Sequence, residues 1–305
     1  MINYLKNFKL TGLAILLLVF STSCSSDDSD YDHKDTEIPI TQEINFGIQK
    51  VYNNAFGNIL VNQDNQSLYF FAADVTGESN CNGGCTGVWP PLIGELSEME
   101  IASNLNLSDF GTITRNDGQK QITFKGWPLY YFSPEGDGVL EPRNKTEGDG
   151  IGGIFYVAKS DYSMFLGRQI VEGSAEEAKI YLVDDYGVTL YFTTGDEENI
   201  SNCSDGCASV WPPFAAAENL VLPSSLSAEY FSFAQRDDEL GPQLTLFGSP
   251  LYKFAQDNGV RGNVLGQAGG PDANFFVMEA LSFFDDSIGN LNINKKVAQI
   301  DKVLD

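Results

Sequence analysis

An internal duplication is the feature of this sequence that most constrains its fold. Residues 79–91 read SNCNGGCTGVWPP and residues 201–213 read SNCSDGCASVWPP, with nine identities at an offset of 122. Weaker identities extend the match on both sides, with small changes of offset. The chain is therefore predicted to carry two tandem copies of one unit, spanning residues 44–163 and 164–284.

A half-period is visible inside each unit. A Leu-Tyr pair recurs every 61 residues, and its tyrosines are Tyr69, Tyr130, Tyr191 and Tyr252. Only the first and third of these are followed by a cysteine pair. This spacing indicates an ancestral unit of about sixty residues.

The local pattern within the repeats is that of β-strands. Residues 111–115 and 121–124 flank an Asn-Asp-Gly turn, and residues 179–183 and 188–192 flank Asp-Asp-Tyr-Gly. Such strand-length runs between turn residues predict an all-β fold of antiparallel repeats, sandwich-like or barrel-like. Minor helices are expected in three places, at residues 94–105, 215–228 and 294–305.

The N-terminus is typical of an exported lipoprotein. Residues 1–23 combine two lysines, a short apolar run and small residues, as a signal peptide does. Cys24 follows in a near-match to a lipobox, which predicts cleavage before it and its acylation. Residues 24–43 are predicted to be an acidic tether, and residues 285–305 a C-terminal tail.

Charge and histidine content exclude several classes of function. The net charge of −24 argues against nucleic acid, whose binding requires Lys and Arg to neutralise phosphates. The one histidine, His33, lies in the acidic stretch outside the repeats. Because a Ser-His-Asp triad, a Cys-His pair and a histidine-bound zinc all need an imidazole, the repeats can build none of them.

The repeated residues resemble a known family. Tyr69-x-Phe71-x-x-Asp74, the C-x₃-C pair with Trp-Pro-Pro, and the later Gly-x-Pro-Leu-Tyr are similar to the secreted-repeat bacterial lipoproteins. That family is described by a Y-x-[FWY]-x-x-D motif and has no assigned function. The resemblance implies an exported, usually lipid-anchored β protein, and the predicted location of this lipoprotein is the outer membrane. The acidic cluster after Cys24 resembles a surface-export signal, which predicts a body facing the cell exterior.

The four cysteines of the repeats are expected to be oxidised in an exported chain. Local disulfides are the simplest connectivity, and they pair Cys81 with Cys85 and Cys203 with Cys207. The alternatives are a four-thiolate metal site shared between the repeats or a redox-active pair.

Six further residues are candidates for a binding or structural role. Trp89 and Trp211 are expected to be core residues, with a stacking platform for sugars as the alternative. Asp74 and Asp196 are expected to form buried ion pairs with Arg115 and Arg236. The alternative for the two aspartates is a calcium site, although no EF-hand spacing supports it; no other cofactor is predicted.

Together these observations predict a cell-surface lipoprotein that is not an enzyme and that binds or supports an unknown extracellular partner. The membrane is reached through the lipid anchor, and no nucleic acid is involved. Two alternatives stay open. One is a carboxylate-dependent enzyme acting on surface glycans, and the other is an accessory to extracellular electron transfer through the cysteine pairs.

Overall fold

The computed structural model of this chain describes residues 47–172, 177–216, 218–236 and 238–280. The predicted signal peptide, Cys24, the tether, His33 and the C-terminal tail with its helix therefore lie outside the described residues. Both repeats fall within one compact unit.

The first repeat contains eight strands and one short helix in the described residues. They are β1 (Gly47–Asn53), β2 (Gly57–Asn62), β3 (Tyr69–Phe71), α1 (Cys85–Val88), β4 (Glu100–Ile101), β5 (Phe110–Thr114), β6 (Lys120–Phe124), β7 (Trp127–Pro128) and β8 (Phe155–Val157).

The second repeat has seven strands and one helix in its described part. They are β9 (Phe165–Gln169), β10 (Lys179–Val183), β11 (Tyr191–Thr193), α2 (Asp205–Val210), β12 (Phe231–Ala234), β13 (Gln243–Leu246), β14 (Ser249–Pro250) and β15 (Phe275–Val277).

Apart from β4, which belongs to the first repeat, the two repeats have the same strand pairing. In the first, β2 pairs with β1, β3 with β8, and β6 lies between β5 and β7. In the second, β10 pairs with β9, β11 with β15, and β13 lies between β12 and β14. These pairs are antiparallel. The predicted all-β tandem repeat is therefore confirmed, whereas the predicted residue limits of the repeats stay a prediction.

The helices predicted at residues 94–105 and 215–228 are wrong. The first segment has a 3₁₀ turn, Leu96–Glu98, and then β4, which pairs in parallel with the start of β1. The described part of the second segment is irregular until a 3₁₀ turn begins at its last residue. Its backbone bonds elsewhere, since Val221 N–H reaches Ser163 Oγ and the carbonyl of Leu222 accepts from Lys159. These long-range contacts use backbone groups that a helix would need.

Aromatic side chains join the two repeats. Phe165 of β9 contacts Phe70 and Trp127 of the first repeat edge to face, with ring centroids 5.6 and 4.9 Å apart. The indole N–H of Trp127 donates to the carbonyl of Asp185 at 3.0 Å, and Lys125 pairs with the Asp185 carboxylate. The repeats therefore share one continuous hydrophobic core.

Candidate functional site

Each cysteine pair closes a small ring that overlaps the start of a short helix. Cys81 and Cys85 form one disulfide and Cys203 and Cys207 the other, with Cα atoms 5.3 and 5.2 Å apart. Inside the rings, Gly83 and its equivalent Asp205 both have positive φ. The predicted local connectivity is confirmed, and the four-thiolate site is wrong because each thiol is already bonded to its neighbour in the chain.

The tryptophan after each ring lies in the core. Trp89 and Trp211 are only 2% and 3% exposed. Trp89 stacks on Phe155 of β8 and Trp211 stacks on Phe275 of β15, with ring centroids 3.8 Å apart in both pairs. A methyl group on Gly148 or Gly266 would approach these indoles to 2.9 or 2.8 Å. The backbone at these glycines therefore packs directly against the indoles, and neither tryptophan ring is accessible to a sugar.

The first candidate aspartate starts a chain of buried hydrogen bonds. Tyr130 donates its hydroxyl to Asp74 at 2.6 Å and lies 2.7 Å from the hydroxyl of Ser79. Arg115 donates to Ser79 at 2.5 Å, to Gln121 at 2.7 Å and to the carbonyl of Cys81 at 2.8 Å. The network thus ties the disulfide ring to the β5–β6 hairpin.

The second repeat has the same network. Tyr252 donates to Asp196 at 2.5 Å and lies 2.8 Å from Ser201, and Arg236 donates to Ser201 at 2.8 Å. Arg236 also donates to Gln243 and to the carbonyl of Cys203. Sequence reasoning missed these hydroxyls and glutamines, although Ser79 and Gln121 both recur at the offset of 122.

The predicted direct pairs of Asp74 with Arg115 and of Asp196 with Arg236 are therefore wrong. In each repeat a tyrosine and a serine lie between the carboxylate and the guanidinium. Arginine instead pairs with the aspartate of its own turn, which is Asp117 in the first repeat and Asp238 in the second.

The other two tyrosines, Tyr69 and Tyr191, donate in the opposite direction, from the first half of each repeat to a carboxylate of the second half. Tyr191 donates to Asp257 at 2.7 Å, while Tyr252 donates to Asp196. Each Y-x-x-x-x-D motif of the second repeat therefore gives its tyrosine hydroxyl to the carboxylate of the other motif. In the first repeat Tyr69 donates to Glu141 at 2.5 Å, because Glu135, at the motif position, is exposed. The motif thus encodes a reciprocal contact between the halves of one repeat.

Burial controls the electrostatics of these carboxyls. Asp74 has no solvent exposure, and desolvation raises its pKa to about 7 even though Tyr130 and Asn80 donate to it. Desolvation also raises the pKa values of Glu141, Asp196 and Asp257. Both oxygens of Asp74 and Asp196 accept protein hydrogen bonds. These groups are therefore arranged to hold the fold.

A cleft beside Asp74 contains an arginine of the second repeat. Arg261 donates to the carbonyls of Val75 at 2.8 Å and Lys125 at 3.0 Å, and its guanidinium lies 4.5 Å from the centre of the Trp127 ring. We call the contact surface formed by Asp74, Val75, Lys125, Gly126 and Trp127 the repeat-1 cleft.

An open cleft of about 260 Å³ lies at the equivalent place in the second repeat. We call it the repeat-2 cleft, and its lining residues are Thr193, Asp196, Glu197, Glu198, Phe247, Gly248, Ser249 and Pro250.

The described residues offer little to a metal or a membrane. No group of three or more His, Cys, Asp or Glu side chains in them is placed to hold a metal ion, so the calcium alternative finds no such cluster there. Within the same residues, no helix is both long and apolar enough to cross a bilayer.

Comparison with known proteins gives one family. Residues 50–93, 111–139 and 180–215 match the family described as a secreted repeat of unknown function. The matches confirm the resemblance that the motifs indicated. Strands β12 to β14 repeat the pairing of β5 to β7, so the structural repetition extends beyond the matched residues. No curated protein and no solved structure matches the chain.

Proposed function

We propose that this chain, which carries repeats of a secreted family, is a lipid-anchored surface module with a binding or structural role and no catalytic one. One observation carries the proposal. In both repeats the recurring polar side chains are used in equivalent internal hydrogen bonds, from the carboxylate through tyrosine and serine to arginine. Residues retained in both copies therefore serve the scaffold, and any function belongs to the surface that the scaffold displays.

The anchor is the second part of the proposal. Acylation of Cys24 attaches the mature chain to the outer membrane, since each buried CH₂ of an acyl chain contributes about 0.8 kcal/mol. The acidic stretch that follows carries five aspartates within residues 27–35 and contains no apolar periodicity. Such a segment works as a solvated tether, which supports a body held away from the membrane and facing the exterior.

Cell fractionation and protease treatment of intact cells test this location. We expect the chain to fractionate with the outer membrane and to be digested on intact cells. Cys24→Ala should release it from the membrane, whereas a double alanine variant at Cys81 and Cys85 should keep it anchored. Recovery of wild-type chain in the soluble fraction would contradict the anchor, and protection from protease would contradict the outward orientation.

The repeat-2 cleft favours a second candidate, a carboxylate-dependent enzyme acting on surface glycans. Asp196 is half-buried, its pKa is raised by desolvation, and Glu197 and Glu198 lie beside it. Asp74 counts against this candidate, because it has equivalent bonding partners and a raised pKa in a cleft already filled by Arg261.

A hydrolysis screen on cell-surface polysaccharides separates the two candidates. The surface-module proposal expects no turnover by the wild-type chain. Turnover that is lost in Asp196→Asn but retained in the matched Asp74→Asn variant would establish the enzyme and overturn the proposal.

A further inference from the structure

The contact between the two repeats is directional. Arg261 belongs to the second repeat, and the cleft that holds it belongs to the first. A contact of this kind uses two different surfaces, so a homologous repeat should carry both of them. The first repeat should therefore have its own arginine, and the second repeat its own cleft.

The arginine of the first repeat is Arg143. Gly148 and Gly266 bond their N–H groups to equivalent tyrosine hydroxyls at 3.3 Å, which sets the local offset at 118. At that offset Arg143 corresponds to Arg261.

The residues that follow the two arginines confirm this alignment. Asn144 N–H donates to the carbonyl of Asn65 at 2.8 Å, as Gly262 N–H donates to that of Gly187 at 2.9 Å. The side chain of Arg143 is 66% exposed, and among the described residues its ion-pair partner is an exposed carboxylate, that of Asp64, at 2.9 Å. Surface pairs of this kind contribute little to stability, so Arg143 can exchange its partner easily.

The repeat-2 cleft is the equivalent of the repeat-1 cleft. Lys125 and Phe247 have φ values of 49° and 47°, and Gly126 and Gly248, which follow them, both have 77°. A methyl group on Gly126 would lie 2.0 Å from the guanidinium of Arg261, so the missing side chain is the space that the arginine occupies. At Gly248 the corresponding space holds part of the Glu198 side chain, whose Cγ would lie 2.5 Å from such a methyl group. A guanidinium that enters the repeat-2 cleft must therefore displace this side chain and would lie beside its carboxylate.

Substitutions between the clefts make the open one more acidic. Val75 and Thr76 of the first repeat correspond to Glu197 and Glu198, and Lys125 corresponds to Phe247. Two carboxylates are gained and one ammonium group is lost. A guanidinium entering this cleft would meet opposite charge, while the stacking ring of Trp127 is replaced by a serine.

From this arrangement we propose that the chain assembles head to tail, with Arg143 of one copy entering the repeat-2 cleft of the next copy. The intermolecular contact repeats the geometry of the contact that Arg261 makes inside the chain. Because it is directional, it generates an open row of molecules or a closed ring. The inference deepens the proposed function, on which it rests for the surface location, by naming a second copy of the chain as partner.

Sedimentation velocity on residues 25–305, which retain both repeats, tests the assembly in a concentration series at low salt. The wild-type chain should form species larger than a dimer as concentration rises, and added salt should reduce them. Arg143→Glu and the double variant Glu197→Lys/Glu198→Lys should each stay monomeric. Lys120→Glu and the double variant Glu95→Lys/Glu98→Lys make the same charge changes at other exposed positions and should assemble like the wild type.

A mixture of the two monomeric variants is the decisive experiment for head-to-tail assembly. Arg143→Glu keeps its cleft and the double cleft variant keeps its arginine, so their mixture should form a dimer and nothing larger. A dimer also shows that both variants are folded. A wild-type chain that is monomeric at every concentration, assembly by either end variant alone, or a mixture without dimer would each overturn the proposal. The solution result is independent of the cell-surface test, so failure of one leaves the other standing.

Discussion

Replacing Asp74 with Asn should change how the stability of the protein depends on pH. The carboxyl has an ordinary pKa of 3.8 and a folded pKa of about 7, because burial disfavours its charged form. Between these values the folded state binds more protons than the unfolded state. The free energy of unfolding of the wild type therefore falls as pH rises through this window.

The size of the effect follows from the shift. About three pKa units at 1.36 kcal/mol each correspond to about 4 kcal/mol of stability lost between about pH 4 and pH 7. The amide of the Asp74→Asn variant cannot ionise, and it can still donate to Tyr130 and accept from Asn80. The difference in unfolding free energy, variant minus wild type, should therefore rise by up to about 4 kcal/mol across the window.

Urea unfolding followed by tryptophan fluorescence, at several pH values and with the disulfides intact, measures this difference. Asp196→Asn is the matched control, because Asp196 has equivalent partners but is half-exposed to water. Its difference should rise less. A constant difference between Asp74→Asn and wild type from pH 4 to pH 8 would refute the reasoning, as would a larger rise for Asp196→Asn.

Three further predictions use the same urea assay. Arg261→Ala should cost about 3 kcal/mol, because it leaves two partly buried carbonyls without this donor and removes the stacking on an indole; no loss would mean that the repeats hold together without it. Gly266→Ala should cost about 1–3 kcal/mol since its methyl would approach the second tryptophan to 2.8 Å, whereas Gly206→Ala, with no atom within 4 Å, should cost far less. A double alanine variant at Cys81 and Cys85 should lose about 2 kcal/mol through a less constrained unfolded chain, and an unchanged value would contradict that account.

The sequence predicts most of the features that local chemistry determines. The hairpin of β5 and β6 forms around Asn-Asp-Gly because those residues suit its turn, and Gly118 has the positive φ expected there. The disulfide pairs are four residues apart, and the compartment favours their oxidation. The duplication itself predicts that what holds in one repeat holds in the other.

Features that depend on distant parts of the chain could not be predicted. Tyr69 receives no local signal that its hydroxyl will bond Glu141, which lies 72 residues away. Apolar residues at 96, 99 and 105 suggest a helix, yet β4 is extended because β1 offers it backbone partners. The ion pair expected between Asp74 and Arg115 failed for a related reason, since a tyrosine from the other half of the repeat lies between them.

The chain contains two kinds of contact, one reciprocal and one directional. The reciprocal contact completes each repeat, whereas the directional contact leaves surfaces free for the proposed assembly. Within a repeat the tyrosine–carboxylate contact is reciprocal. The two halves use each other's hydrogen-bonding groups, so no tyrosine or carboxylate of this contact is left for a further unit. Between repeats the contact of Arg261 is directional, so every added repeat leaves one arginine and one cleft unused. The repeat-2 cleft has a serine in place of the indole ring and carries Glu197 and Glu198, which suits a contact made between separate molecules in water. In a contact between separate molecules, the guanidinium must be attracted from water before it is buried. Carboxylates attract it over a longer distance than stacking on an aromatic ring does.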